Sequence, residues 1–159
     1  MARRWARLLG GLILAWPLLA PLSANALEAA TDLRAEAARA VHAGGPLIVI
    51  YSRADCKFCQ TVKRDYLEPL ANDTKRGKHL LIREIGQDTE TPLRDFSGQA
   101  STHARFAAEQ KIKLVPVVAF YGPNGRSLAK PIVGARIADF YQSYLDEAIE
   151  QATQALGKP

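Results

Sequence analysis

The chain of 159 residues predicts one α/β domain with a mixed central sheet and helices on both faces. Three observations carry that prediction. The continuous apolar run Leu47-Ile48-Val49-Ile50-Tyr51 suits a strand buried on both sides. A helical pattern and a second apolar stretch follow it, the strand–helix–strand order that closes by a right-handed crossover into a parallel pair. Later, Val117-Val118-Ala119-Phe120-Tyr121 meets the turn Gly122-Pro123-Asn124-Gly125, which predicts an antiparallel hairpin.

The first 26 residues stand apart from this domain. Arg3, Arg4 and Arg7 make a basic start, an apolar stretch follows, and Ala24-Asn25-Ala26 supplies a small-x-small cleavage pattern. Together they predict a secretory signal peptide cut after Ala26, with residues 27–159 as the domain. The apolar stretch is interrupted by Pro17 and Pro21 and is short for a membrane span, which needs about 20 residues. The export route, general or twin-arginine, is open. The whole chain carries 21 Lys+Arg against 16 Asp+Glu. Without the three signal arginines, 18 bases face 16 acids, a net charge of +2. That balance contains no basic stripe of the kind nucleic acid requires.

Within the domain, residues 28–42 are alanine-rich, with Leu33, Ala37, Ala40 and Val41 at helical spacing. Gly44-Gly45 stops that helix. After the strand at residues 47–51, Cys56 opens a second helix with Cys59, Val62, Tyr66, Leu67 and Leu70 inward, and Pro69 is expected to kink or end it. Residues 79–85 predict the second strand. Residues 87–100 have no period and contain Pro92 and Gly98, so they predict an irregular loop. Ser101 is the expected cap of a short helix carrying Phe106 and Ala107. Residues 115–121 predict a third strand and residues 132–134 a short fourth. Ile137, Phe140, Tyr144, Leu145, Ala148, Ile149, Ala152 and Leu156 mark the expected inner side of a long final helix.

The chemistry concentrates at Cys56 and Cys59, which are all the cysteines of the chain. A bridge across three residues closes too short a loop to stabilise a fold by restricting the unfolded chain. Reversible thiol chemistry makes better use of the spacing. Only a thiolate attacks a disulfide, and Cys56 at a helix start gains from the free N–H groups and the helix dipole. Lys57 adds a neighbouring cation and Asp55 an opposing charge. Cys59, one turn further in on the same face, would resolve a mixed disulfide formed by Cys56. A zinc site would need two more ligands, and His42, His79 and His103 lack metal spacing. No metal or other cofactor is therefore expected. His103 falls at a helix start, where a surface position is the expectation and assistance to proton transfer the alternative. Phe96, Tyr51 and Phe58 could offer an apolar surface to substrate, with Tyr51 assigned to the core and Phe58 to contact.

Over residues 45–155 the chain resembles the thioredoxin family. The resemblance rests on Cys56-Lys57-Phe58-Cys59 after the first strand, Val115-Pro116 57 residues beyond Cys59, the hairpin running from Val117 through Arg126, and Val133-Gly134 before the last helix. It implies the thioredoxin fold, with Pro116 as a cis-proline facing the cysteines. It also implies a peptide groove in which Lys57, Phe58, Val115 and Pro116 meet substrate. Two departures matter. Cytoplasmic thioredoxins carry an acid six residues before the first cysteine and a tryptophan just before it; here those positions are Ile50 and Asp55. Lys57-Phe58 is neither Gly-Pro nor the Pro-His of strongly oxidising relatives, which points to reductase-like or isomerase-like exchange. The segment at residues 87–100 looks like that of secreted thioredoxin-like proteins tied to sulfur oxidation or cytochrome maturation. The glutamate signature of the latter is absent from Lys113-Leu114-Val115-Pro116-Val117.

The expected function is thus periplasmic disulfide exchange with protein disulfide or dithiol substrates. A membrane electron donor or acceptor is the expected redox partner and a monomer the expected state. The alternative is a non-catalytic metal-binding or chaperone protein on the same fold.

Overall fold

The computed structural model describes residues 27–135 and 138–157. The signal peptide expected over residues 1–26, and Ile137, lie outside the described residues.

The chain runs α1 (Leu33–His42), β1 (Leu47–Ser52), α2 (Lys57–Val62), a π-helical turn (Lys63–Leu67), α3 (Glu68–Asn72), a 3-10 turn (Gly77–His79) and β2 (Leu81–Gly86). Then come β3 (Pro92–Arg94), β4 (Ala100–Thr102), α4 (His103–Glu109), β5 (Val117–Tyr121), β6 (Ile132–Val133) and α5 (Ala138–Leu156). The main sheet has the order β2-β1-β5-β6, with β1 parallel to β2 and antiparallel to β5, and β6 antiparallel to β5. Leu47, Val49 and Tyr51 of β1 pack with α1, Phe106 and Ile85 on one face. Ile48 and Ile50 pack on the other with Val62, Leu67, Phe120, Tyr141 and Leu145. The period of two along a strand divides the run between two cores, so all six residues of β1 are buried.

Several local expectations are corrected. Of the kink or end expected at Pro69, the end does not occur: helix continues to Asn72, although its regular α ladder is interrupted by the π turn just before the proline. The π turn before it sends the Glu68 N–H back to the Lys63 carbonyl, and Pro69 falls in the first turn of α3, where a missing N–H costs nothing. Residues 87–100 are not all irregular: β3 and β4 form a separate hairpin. The Asp95 carboxylate nucleates its turn by accepting the N–H groups of Ser97 and Gln99. Thr102, not Ser101, caps α4, accepting the Arg105 N–H. On α5, Tyr141, Leu145, Ala148 and Ala152 face the core, while Phe140 and Tyr144 are exposed. The apolar residues on α5 exceed the width of its buried stripe, so the pattern left the rotation of the helix undetermined.

Gly45 shows how close the packing runs at the head of β1. A Cβ there would sit 2.1 Å from the His79 carbonyl oxygen, a main-chain group that cannot swing aside. His79 Nδ1 also lies 2.8 Å from the Ala43 carbonyl, tying the loop before β2 to the end of α1.

In the core, the hydroxyls of Tyr51 and Tyr121 hydrogen-bond each other at 2.8 Å. Burial, and then the neighbouring Tyr121, hold Tyr51 well above the ordinary tyrosine range; burial likewise raises Tyr121. In the unfolded chain both ionise near pH 10. Above that pH the folded state keeps protons that the unfolded state has lost, so this contribution to stability is complete below about pH 10 and falls as pH rises further. Thermal melts between pH 8 and 11 should therefore decline steeply only above about pH 10. The slope should be shallower in Tyr51→Phe. Identical alkaline slopes in both proteins would count against the pair as its source.

Candidate active site

Ser52 ends β1, and the loop after it turns the chain into the helix that starts at Lys57. Cys56 is the N-cap, with extended backbone (φ −90°, ψ 100°), and its Sγ accepts the Cys59 N–H at 3.1 Å. The sulfur thus occupies the place of a capping oxygen, where the unpaired N–H groups favour negative charge. Cys56 and Cys59 form a disulfide with Cα atoms 5.2 Å apart. Cys56 is half-buried and Cys59 fully buried. The outer sulfur is thereby the one a substrate can reach.

The flanking charges are arranged differently from expectation. Asp55 does not stand against Cys56 as a lone negative charge, because the Arg53 guanidinium pairs with it at 2.8 Å. Lys57 is exposed at the helix start. His103 is not on the surface: it is 2% exposed. The Gly86 N–H donates to its Nδ1 at 3.1 Å, and its Nε2 lies 2.8 Å from the Ala30 carbonyl. An N–H can only donate, so Nδ1 accepts and Nε2 carries the proton. Both nitrogens are spent on the main chain, and His103 ties α4, the end of β2 and the segment before α1 together. Phe96 is drawn inward against Phe106 and Tyr121, with ring centroids 5.8 and 4.9 Å away. It is therefore not a surface contact.

Beside the disulfide lies an open cavity of about 490 Å³ lined by Phe58, Leu114, Val115, Pro116, Val133, Gly134 and Ala135. Three of the sequence-selected residues, Phe58, Val115 and Pro116, meet here; Lys57 stays outside the lining. The Val115–Pro116 peptide bond is cis. The β5 ladder begins only at Val117, leaving the main chain of Val115 beyond it. Gly134 has φ +78° and donates its N–H to the Pro116 carbonyl at 2.8 Å. This left-handed conformation suits glycine, and it pins the proline loop to the edge strand. Phe58, Leu114 and Val133 are all more than half exposed, so the cavity has an apolar rim. Leu114 and Val133 were not among the sequence candidates. An apolar side chain on each flank of Val115-Pro116 and of Gly134 was the available sign, but only folding brings those two flanks together.

Comparison with known proteins places this architecture. The family described as the thioredoxin-like domain matches residues 33–149. No match was found among curated proteins. Among solved structures, the chain is similar to a wild-type thioredoxin h from poplar, at 16% identity over 74% of this chain and 95% of that one, with a TM-score of 0.50. It is also similar to a thioredoxin-fold protein from Helicobacter pylori, at 12% identity over 71% and 82% of the two chains, again with a TM-score of 0.50. At such identities the likeness is one of fold. The family match spans most of the chain and includes the helix-capping disulfide. The chain belongs to the thioredoxin-like domain family, as a redox protein of the thiol–disulfide oxidoreductase class.

Proposed function

We propose that this protein is an exported, periplasm-type enzyme that reduces or isomerises disulfides in extended polypeptide segments, working through Cys56 with Cys59 as the resolving thiol. The observation that carries this is the open cavity beside the redox pair, whose exposed apolar rim is Phe58, Leu114 and Val133. An extended segment can lay its main chain along Val115, outside the β5 ladder, and seat an apolar side chain against Phe58. The Lys57-Phe58 dipeptide supports the reductive direction, and the pattern of residues 1–26 supports export of a domain spanning residues 27–159. A membrane-bound electron carrier would return the pair to the working state, with the protein acting as a monomer.

The test is reduction of insulin by dithiothreitol, followed as precipitation of the freed B chain. The protein should accelerate it well beyond dithiothreitol alone, and protein alkylated at its cysteines should not. Equal rates with and without the protein would end this reading.

A further inference from the structure

Residues 28–32, which begin two positions after the cut expected behind Ala26, form a strap tied to β2, α4, β3 and α1. The Glu84 N–H donates to the Glu28 carbonyl and the Ala30 N–H to the Glu84 carbonyl, each at 2.9 Å, so that Ala29 lies across from Glu84 as a parallel bridge. The His103 Nε2–H donates to the Ala30 carbonyl at 2.8 Å. The Arg94 N–H donates to the Thr31 carbonyl at 2.9 Å. Asp32 caps α1 by accepting the Ala35 N–H at 2.9 Å. The Glu28 carboxylate pairs with Arg83 at 2.9 Å. Ala30 and Leu33 are fully buried, and Leu27 packs against the core that contains Ile48, Leu70 and Ile82.

An endopeptidase needs an extended segment on both sides of the bond it cuts, with main-chain groups free to pair. Behind the Ala26–Leu27 bond the chain offers Leu27 alone before those groups are taken by the strap. Lifting the strap is a local unfolding event, because it breaks these hydrogen bonds and uncovers Ala30. We infer that folding closes the processing site: the Ala26–Leu27 bond is cut while the strap is off β2, so the chain crosses the membrane unfolded and loses its signal before the domain closes. This rests on the export reading of residues 1–26 above and deepens it. The cut is hydrolysis by a membrane-bound signal peptidase. Water supplies a hydroxyl to the Ala26 carbonyl carbon and a proton to the Leu27 nitrogen, and nothing is oxidised or reduced. Twin-arginine export carries domains already folded and would deliver a strap already laid on β2. Arg3 and Arg4 therefore serve as the basic start of a signal for the general route.

The experiment uses the full-length chain with purified signal peptidase in detergent micelles. The peptidase is added either to the folded precursor or during cell-free synthesis, before the domain folds. A second precursor carries a flexible spacer of about eight Gly and Ser residues between Ala26 and Leu27, which moves the bond clear of the strap and leaves the strap intact. Once folded, the wild-type precursor should be cut at least about tenfold more slowly than the spacer variant, because cutting tracks the fraction of molecules with the strap open. During synthesis the two should be cut alike. Equal rates for the two folded precursors, fast or slow, would overturn the inference. In cells, Arg3→Lys with Arg4→Lys should leave processing unchanged; arrested processing would overturn the unfolded crossing. Failure of the peptidase to cut after Ala26 in either precursor during synthesis would instead remove the export reading beneath it.

Discussion

Serine at position 56 should lower insulin reduction by at least about three orders of magnitude, while serine at position 59 should trap the enzyme on its substrate. The two outcomes differ because the sulfurs do. Cys56 is the reachable one, with its Sγ at the helix start accepting the Cys59 N–H. A serine hydroxyl there remains protonated at neutral pH and offers no comparable nucleophile, and loss of a covalent nucleophile is among the largest single effects in enzymes. Cys59→Ser leaves the attacking group intact. The first step should run, and the resulting mixed disulfide should persist because no internal thiol displaces it. Non-reducing gels should show a covalent adduct with insulin chains in Cys59→Ser that is missing from Cys56→Ser and is released by dithiothreitol. Adducts of equal yield in both variants would contradict the division of labour.

The second large effect concerns stability. Glu36 and Arg83 are both buried, and Arg83 Nε donates to Glu36 Oε1 at 3.0 Å. Arg83 also reaches the exposed Glu28 at 2.9 Å and the Ile82 carbonyl at 2.8 Å. Removing Glu36 leaves a guanidinium inside the fold with the exposed Glu28 as its remaining charge partner. Breaking a buried pair in this way costs about 3 kcal/mol. For a domain of this size, that lowers Tm by roughly 10 °C. Glu36 Oε2 has no hydrogen-bond partner among the described residues, so the pair is itself imperfect. The double change Glu36→Leu with Arg83→Met should therefore recover most of the loss. Asp65→Ala, which breaks the exposed pair with Arg64, should leave Tm unchanged by comparison. A loss for Glu36→Ala no larger than for Asp65→Ala would show that the burial of the pair carries no energetic weight.

Much of the architecture was legible before any coordinates. The apolar run at residues 47–51 required a strand with two covered faces, and β1 has them. The turn Gly122-Pro123-Asn124-Gly125 required a reversal, and the antiparallel β5–β6 pair follows it. The helix opening at Cys56 was readable from the strand-loop-helix order. Each rests on short-range sterics and on periodicity, which a few neighbouring residues carry by themselves. The misses each have a physical cause. β3 and β4 are each three residues long, too short for alternation to register. Pro69 was read without the π turn that makes room for it. Phe140 and Tyr144 were placed inside because helical spacing gives a stripe but not its rotation about the axis.

By itself, the order of residues determined the redox pair, its place at a helix start, and the α/β class. Tertiary structure alone decided which charges meet the helix turn after that pair and which meet the core. Glu84 and Arg83 are adjacent in sequence but project to opposite faces of β2, one towards Lys63 and the helix of the cysteines, the other towards Glu36 on α1. Strand alternation dictates that they part company. Which partner each one meets depends on the crossover that laid β2 beside β1 in that register, and no local pattern encodes it.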